Sequence, residues 1–156
     1  MYRKIMVPLD GSQLAECVLA HVEAIGVLNK SAEIMLVQAV EPISIPYGRE
    51  AAKVESIEQL KTFEAHNKAE AEKYLAETAT RLAKAGVNAR PYVVFGKAAE
   101  ALAEFATKNS ADLVVIATHG RSGVSRWVWG SVADRLLRSI IAPILVIRAP
   151  GCTPGI

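Results

Sequence analysis

Short apolar runs alternate along this chain with longer stretches in which apolar residues recur every third or fourth position. Lys4 to Leu9 (KIMVPL), Glu33 to Val40 (EIMLVQAV), Ala89 to Phe95 (ARPYVVF) and Pro143 to Arg148 (PILVIR) are runs of this kind. A further run is opened by Asp112 and carries Leu113, Val114, Val115 and Ile116. They show little strict alternation, as expected of strands covered on both faces. Leu14, Ala15, Val18, Leu19, Val22 and Ile25 place a helix over 13–28, with Ser12 as its cap. Ile57, Leu60, Phe63, Ala71, Tyr74, Leu75, Thr78 and Leu82 stripe a long polar helix from Ser56 to Lys84, and Gly86 follows as a C-cap. Ala98, Leu102 and Phe105 mark a third helix, Ala98 to Thr107. Ser131 to Ser139 is a fourth, with Ser131 at its N-cap and Asp134 completing a capping-box pattern.

Five strands alternating with four helices predict an α/β fold, a single-domain open twisted five-stranded parallel sheet with helices on both faces. In such sheets ligands sit beyond the carboxyl ends of the strands, where strand order reverses. The Asp10 turn, the end of the second strand and the loop after the fourth share that edge. Residues 41–55 hold Pro42, Pro46 and Gly48 without periodicity and predict a surface loop that closes over the site. Residues 149–156 read as a tail, leaving 1–148 as the domain.

Composition narrows the partners. The 156 residues carry a net charge of +2 with no basic cluster, which argues against nucleic acid or an acidic membrane surface. No apolar run approaches the roughly 20 residues of a membrane helix. Cys17 and Cys152 are unclustered, which fits a reducing compartment, and a cytoplasmic protein is expected.

The candidate chemistry lies between Leu113 and Ser131. A buried strand breaks into Thr118-His119-Gly120-Arg121-Ser122-Gly123, and Gly130-Ser131 opens a helix. Strand, glycine loop and helix start form an anion-holding geometry, with backbone N–H groups and the helix dipole facing a negative guest. Neither G-x-x-x-x-G-K-[ST] nor G-x-G-x-x-G occurs, so a P-loop and a dinucleotide fingerprint are both excluded. What remains is Ala117-x-x-Gly120, nine residues, then Gly130-Ser131.

With V-P-L-D-G-S near the start, A-T-H-G-R-S-G in the loop, G-S-V-A-D at the helix start and P-I-L-V-I-R at the end, the chain resembles the universal stress protein family. The nucleotide-binding branch of that family carries G-x2-G-x9-G-[ST] after the fourth strand, and here Ala117 replaces the first glycine. The resemblance implies a Rossmann-like, adenine nucleotide alpha hydrolase-like fold and an ATP pocket. Pro8, Leu9 and Asp10 would form its floor, and Ala39 would flank the adenine. Ile116 and Ala117 would line the base and ribose side, with Thr118 following. His119, Gly120, Arg121, Ser122 and Gly123 would wrap the phosphates, and Gly130, Ser131, Val132 and Ala133 would offer amides and a hydroxyl. Asp10, being acidic, suits a ribose hydroxyl or an outer position on Mg²⁺ or Mn²⁺ carried by the phosphates. The resemblance also implies a homodimer paired through Pro143–Arg148.

Each residue also has a structural role open to it. Asp10 suits a turn, Ser131 a cap, and Gly120, Gly123 and Gly130 suit loop geometry. His119 has no partner carboxylate nearby in sequence to make it an acid or base. Cys17 and His21 are four apart on one helix, too few ligands for a structural zinc. His66 falls on a solvated helix face, and Trp127 and Trp129 read as apolar cover. No residue set supports a covalent hydrolase. The expected function is therefore an ATP-binding, homodimeric switch in stress response. A slow ATPase or nucleotidyl transferase and a ligand-free interaction protein are the alternatives, with no catalytic or metal residues assigned.

Overall fold

The computed structural model describes residues 2–42, 54–118 and 131–148. The strands are β1 (Lys4–Pro8), β2 (Glu33–Val40), β3 (Ala89–Phe95), β4 (Leu113–Thr118) and β5 (Ile144–Arg148). The helices are α1 (Gln13–Glu16), α2 (Leu19–Leu28), α3 (Val54–Lys84), α4 (Ala98–Lys108) and α5 (Ser131–Ser139). The strands form one parallel sheet in the order β3-β2-β1-β4-β5, so strand order reverses between β1 and β4. The α/β class and the five-stranded parallel sheet are as expected.

The weak alternation of the strands has its cause in the two layers. Ile5, Val7, Ile34, Leu36, Leu113 and Val115 turn to one face, under Ala15 of α1, Val22 of α2, Leu75 and Leu82 of α3, and Val18 between α1 and α2. Met6, Met35, Val37, Val114 and Ile116 turn to the other, under Leu102, Ala106, Ala133 and Leu136 of α4 and α5. Each such side chain contributes about 1.5–3 kcal/mol of burial, so both faces are held with similar force.

The first helix differs from expectation. In place of one helix over 13–28 there are two, separated at Cys17 and Val18. There the N–H groups of Cys17 and Val18 reach back three residues, to the carbonyls of Leu14 (3.2 Å) and Ala15 (3.4 Å), before Val22 resumes a four-residue bond to Val18. Ala15, Val18, Leu19 and Val22 stay buried across the break. Periodicity thus reports the buried face and not the hydrogen-bond pattern.

The remaining differences are at element ends. α3 starts at Val54, inside the segment expected to be loop, and residues 43–53 of that segment lie outside the described residues. The core-facing stripe of α3 holds from Ala71 to Leu82, whereas Phe63 is 52% exposed. Gly86 ends α3 with φ +79, and Val87 N–H bonds back to the Leu82 carbonyl at 3.1 Å. Asp112 is not in β4: its two carboxylate oxygens accept from the N–H groups of Arg3 (2.8 Å) and Lys4 (3.0 Å), pinning the start of β1. In α5 both Asp134 oxygens take bonds from Arg138 (3.1 and 3.2 Å), one turn further on.

Candidate functional site

β1 delivers Pro8, Leu9 and Asp10 to the carboxyl edge of the sheet, and the turn after it is self-braced. Asp10 Oδ1 accepts from Ser12 N–H at 2.9 Å, and Ser12 Oγ accepts from Ala15 N–H at 3.1 Å, capping α1. Between them Gly11 has φ +80, a conformation that glycine adopts without strain. Asp10 thus fills its structural role while remaining exposed at the edge.

At the reversal between β1 and β4 lies a cavity of about 310 Å³. It gathers Pro8, Leu9, Asp10, Ala39, Ile116, Ala117, Thr118, Val132 and Ala133, nine residues singled out from the sequence. Leu14, Ala15, Ala98 and Leu102 complete the lining and are not legible as site residues, since they belong to the apolar stripes of their helices. Five alanines leave room near the backbone, and the walls are apolar enough for a flat heteroaromatic base. Ser131 opens α5 beside this cavity. His119, Gly120, Arg121, Ser122, Gly123 and Gly130 lie outside the described residues, as do Trp127 and Trp129.

Ala117 pairs with Ile147 within β4, and Ser110 alone among described non-glycine residues has positive φ, so an alanine is unstrained at position 117. Its methyl group merely narrows the cavity wall. Thr118 is 6% exposed, and its Oγ1 has no hydrogen-bond partner. A buried hydroxyl left unpaired costs about 1–3 kcal/mol.

Two helix starts beside the cavity are closed by the protein's own groups. α1 has Ser12, and α4 is capped from a distance, since the Glu41 carboxylate just past β2 accepts from Ala98 N–H at 3.1 Å. Among the described residues, no group of three or more His, Cys, Asp or Glu is placed to hold a metal. No described helix is long and apolar enough to cross a membrane.

The Universal stress protein family model matches residues 1–148. The chain belongs to the universal stress protein family. Universal stress protein MJ0531 of Methanocaldococcus jannaschii is 32% identical over 152 residues, covering 96% of this chain and 84% of that one. The solved structure of MJ0577 from the same organism superposes with a TM-score of 0.78 at 24% identity, covering 97% of this chain and 99% of the other. Other structures of the same fold were solved with small ligands: an Arabidopsis thaliana universal stress protein with AMP, one from Archaeoglobus fulgidus with dAMP, and one with cAMP (TM-scores 0.68, 0.60 and 0.64). In this universal stress protein the alanine-walled cavity occupies the reversal of strand order, where nucleotide-binding sheets place their ligands.

Proposed function

We propose that this universal stress protein binds an adenine nucleotide, ATP with Mg²⁺ or Mn²⁺ on its phosphates, in the alanine-walled cavity, and acts as a homodimeric switch in stress response. The observation that carries this reading is the cavity at the strand reversal, with apolar walls and an unpaired, buried Thr118 hydroxyl. The base packs among Ala39, Ile116, Ala117, Val132 and Ala133, and Asp10 faces the ribose. The phosphates run to the start of α5, where Gly130, Ser131 and the His119–Gly123 loop supply N–H groups and the Arg121 charge. The residues fit a phosphate-borne divalent ion and not a protein-caged one, since Asp10 is the one carboxylate in the described lining. Its Oδ1 accepts from Ser12 N–H, which supports a reading of binding ahead of turnover. The AMP, dAMP and cAMP complexes of fold relatives support an adenine nucleotide as the class.

Heat-denaturing the purified protein and identifying released nucleotide, followed by calorimetric titration with ATP and Mg²⁺, tests this. ATP binding with micromolar or tighter affinity is expected; failure of ATP, ADP and AMP alike to bind overturns it. The dimer forms along β5, an edge strand paired on its β4 side, with Leu145 38% exposed and Ile141 fully exposed close by. Light scattering at micromolar concentration is expected to give twice the chain mass, and a monomer removes the dimer from this reading.

A further inference from the structure

α4 begins at the alanine-walled cavity, and Ala98, its first residue, lines it. A helix start gathers anions through its free N–H groups and the positive end of its dipole. The N-cap residue does not close this one, because Lys97 is exposed and makes no side-chain cap bond. The start is filled from elsewhere in the chain. Glu41, the residue after β2, reaches across 57 positions, and its Oε1 accepts from Ala98 N–H at 3.1 Å. A protein carboxylate thus stands where a ligand's anion would be drawn.

The charges around that bond give Glu41 its weight. Glu100, in the first turn of α4, is taken by Arg135 of α5 at 2.6 Å. No lysine or arginine stands in the described lining of the cavity, where Asp10 is the one charged residue. Beyond Ala39, Glu41 and Glu70 line the next wall with Tyr74, again without a described cation. The Tyr74 hydroxyl registers these charges: burial and then the Glu16 carboxylate, with Asp10 adding to them, push it up to about 12. A helix start is equivalent to about half a positive charge, so the full charge of Glu41 more than cancels it. A phosphate at the α4 start would meet that carboxylate, whereas an uncharged base or ribose would not.

We propose, on the nucleotide reading above, that Glu41 is a specificity-determining residue: by filling the α4 start it denies that corner to phosphate and leaves it to the uncharged part of the ligand. The test is calorimetric titration of the full chain and of Glu41→Gln with adenosine, AMP and ATP. Mg²⁺ is held constant, and each titration is run at about 0.02 M and about 0.5 M NaCl. Glutamine keeps an oxygen for Ala98 N–H and removes only the charge. In low salt, AMP and ATP are expected to bind Glu41→Gln at least about threefold more tightly than the unaltered chain, and adenosine within about twofold. High salt is expected to close the gap. Glu41→Ala is expected to show the same gain while unfolding at lower urea, since it also loses the cap. A purely structural Glu41 would leave all three affinities alone in Glu41→Gln, and that result overturns the proposal. So do a loss of AMP or ATP affinity, a parallel gain for adenosine, and a gain that survives high salt. If the unaltered chain binds none of the three, the nucleotide reading falls and takes this role of Glu41 with it. Binding without the Glu41 effect removes the role alone.

Discussion

On one side of Ala39 the cavity wall is Ala98, Leu102, Ile116, Val132 and Ala133; on the other it is Gln38, Glu41, Asn67, Glu70 and Tyr74. The contrast comes from the pleat. Successive strand residues point to opposite faces, so Gln38 faces α3 while Ala39 faces α4 and α5. A single strand end therefore furnishes an apolar slot suited to a flat base and a polar chamber suited to hydrogen bonding. The two sides need share nothing beyond the backbone between them.

Four experiments probe that independence, from the largest expected effect to the smallest. Leu75 is fully buried on α3, behind the polar chamber, and Leu75→Ala is expected to remove about 2–5 kcal/mol of stability by urea unfolding. If the sides are independent, ATP affinity in the folded variant stays within about twofold, roughly 0.4 kcal/mol. Ala98→Trp fills the slot from the α4 side and is expected to weaken ATP at least about tenfold, roughly 1.4 kcal/mol, by calorimetry. Glu41→Ala removes the remote cap of α4 and is expected to cost about 1 kcal/mol by urea unfolding. Because Glu41 lines the polar chamber and its cap supports Ala98 of the slot, this variant shows whether the two respond together.

The last is a pH test. The folded state holds the Tyr74 proton up to about 12, whereas a solvated tyrosine releases it near 10.0. The folded state thus binds the proton more tightly, so the stabilisation is complete below pH 10 and is lost as pH rises toward 12. Tyr74→Phe is expected to flatten the decline of the urea midpoint over that window. An unchanged slope would mean that the polar chamber does not hold the hydroxyl as described.

β2 and β3 are legible residue for residue; in β2 the central run IMLV is continuously apolar because both its faces are covered, whereas β3 is half-exposed and its ends coincide with those of its run. The break at Cys17 is not legible, since a switch from four-residue to three-residue bonds leaves the buried stripe of Ala15, Val18 and Val22 unchanged. The slot is legible where motif residues form it, at Asp10, Ile116, Ala117 and Val132. It is hidden at Leu14, Ala15, Ala98 and Leu102, whose spacing serves the core and the cavity alike. A usable signal was position: each lies in the first turns of a helix that follows a strand's carboxyl end. The polar chamber left no signal, because Gln38, Asn67 and Tyr74 come from separate elements and only the fold brings them together. Whether Ala117 is tolerated turns on φ, which no sequence pattern displays.

The pinning of β1 by Asp112 has a consequence for synthesis. β1 leaves the ribosome ahead of the other four strands of its sheet, yet it sits in the middle of that sheet, paired with β2 on one flank and β4 on the other. The carboxylate that fastens its first residues lies 109 positions downstream of Arg3. The nascent chain can zip β1, β2 and β3 together early, but the other flank stays open until β4 has emerged. During that interval Met6 and Met35 have no cover from α5, and a row of backbone groups on β1 awaits its partner. Such exposed strand flanks are where slowly assembling parallel sheets aggregate. A pause in translation before residue 113 would lengthen that interval, and would reduce the soluble yield of this protein without changing its final stability.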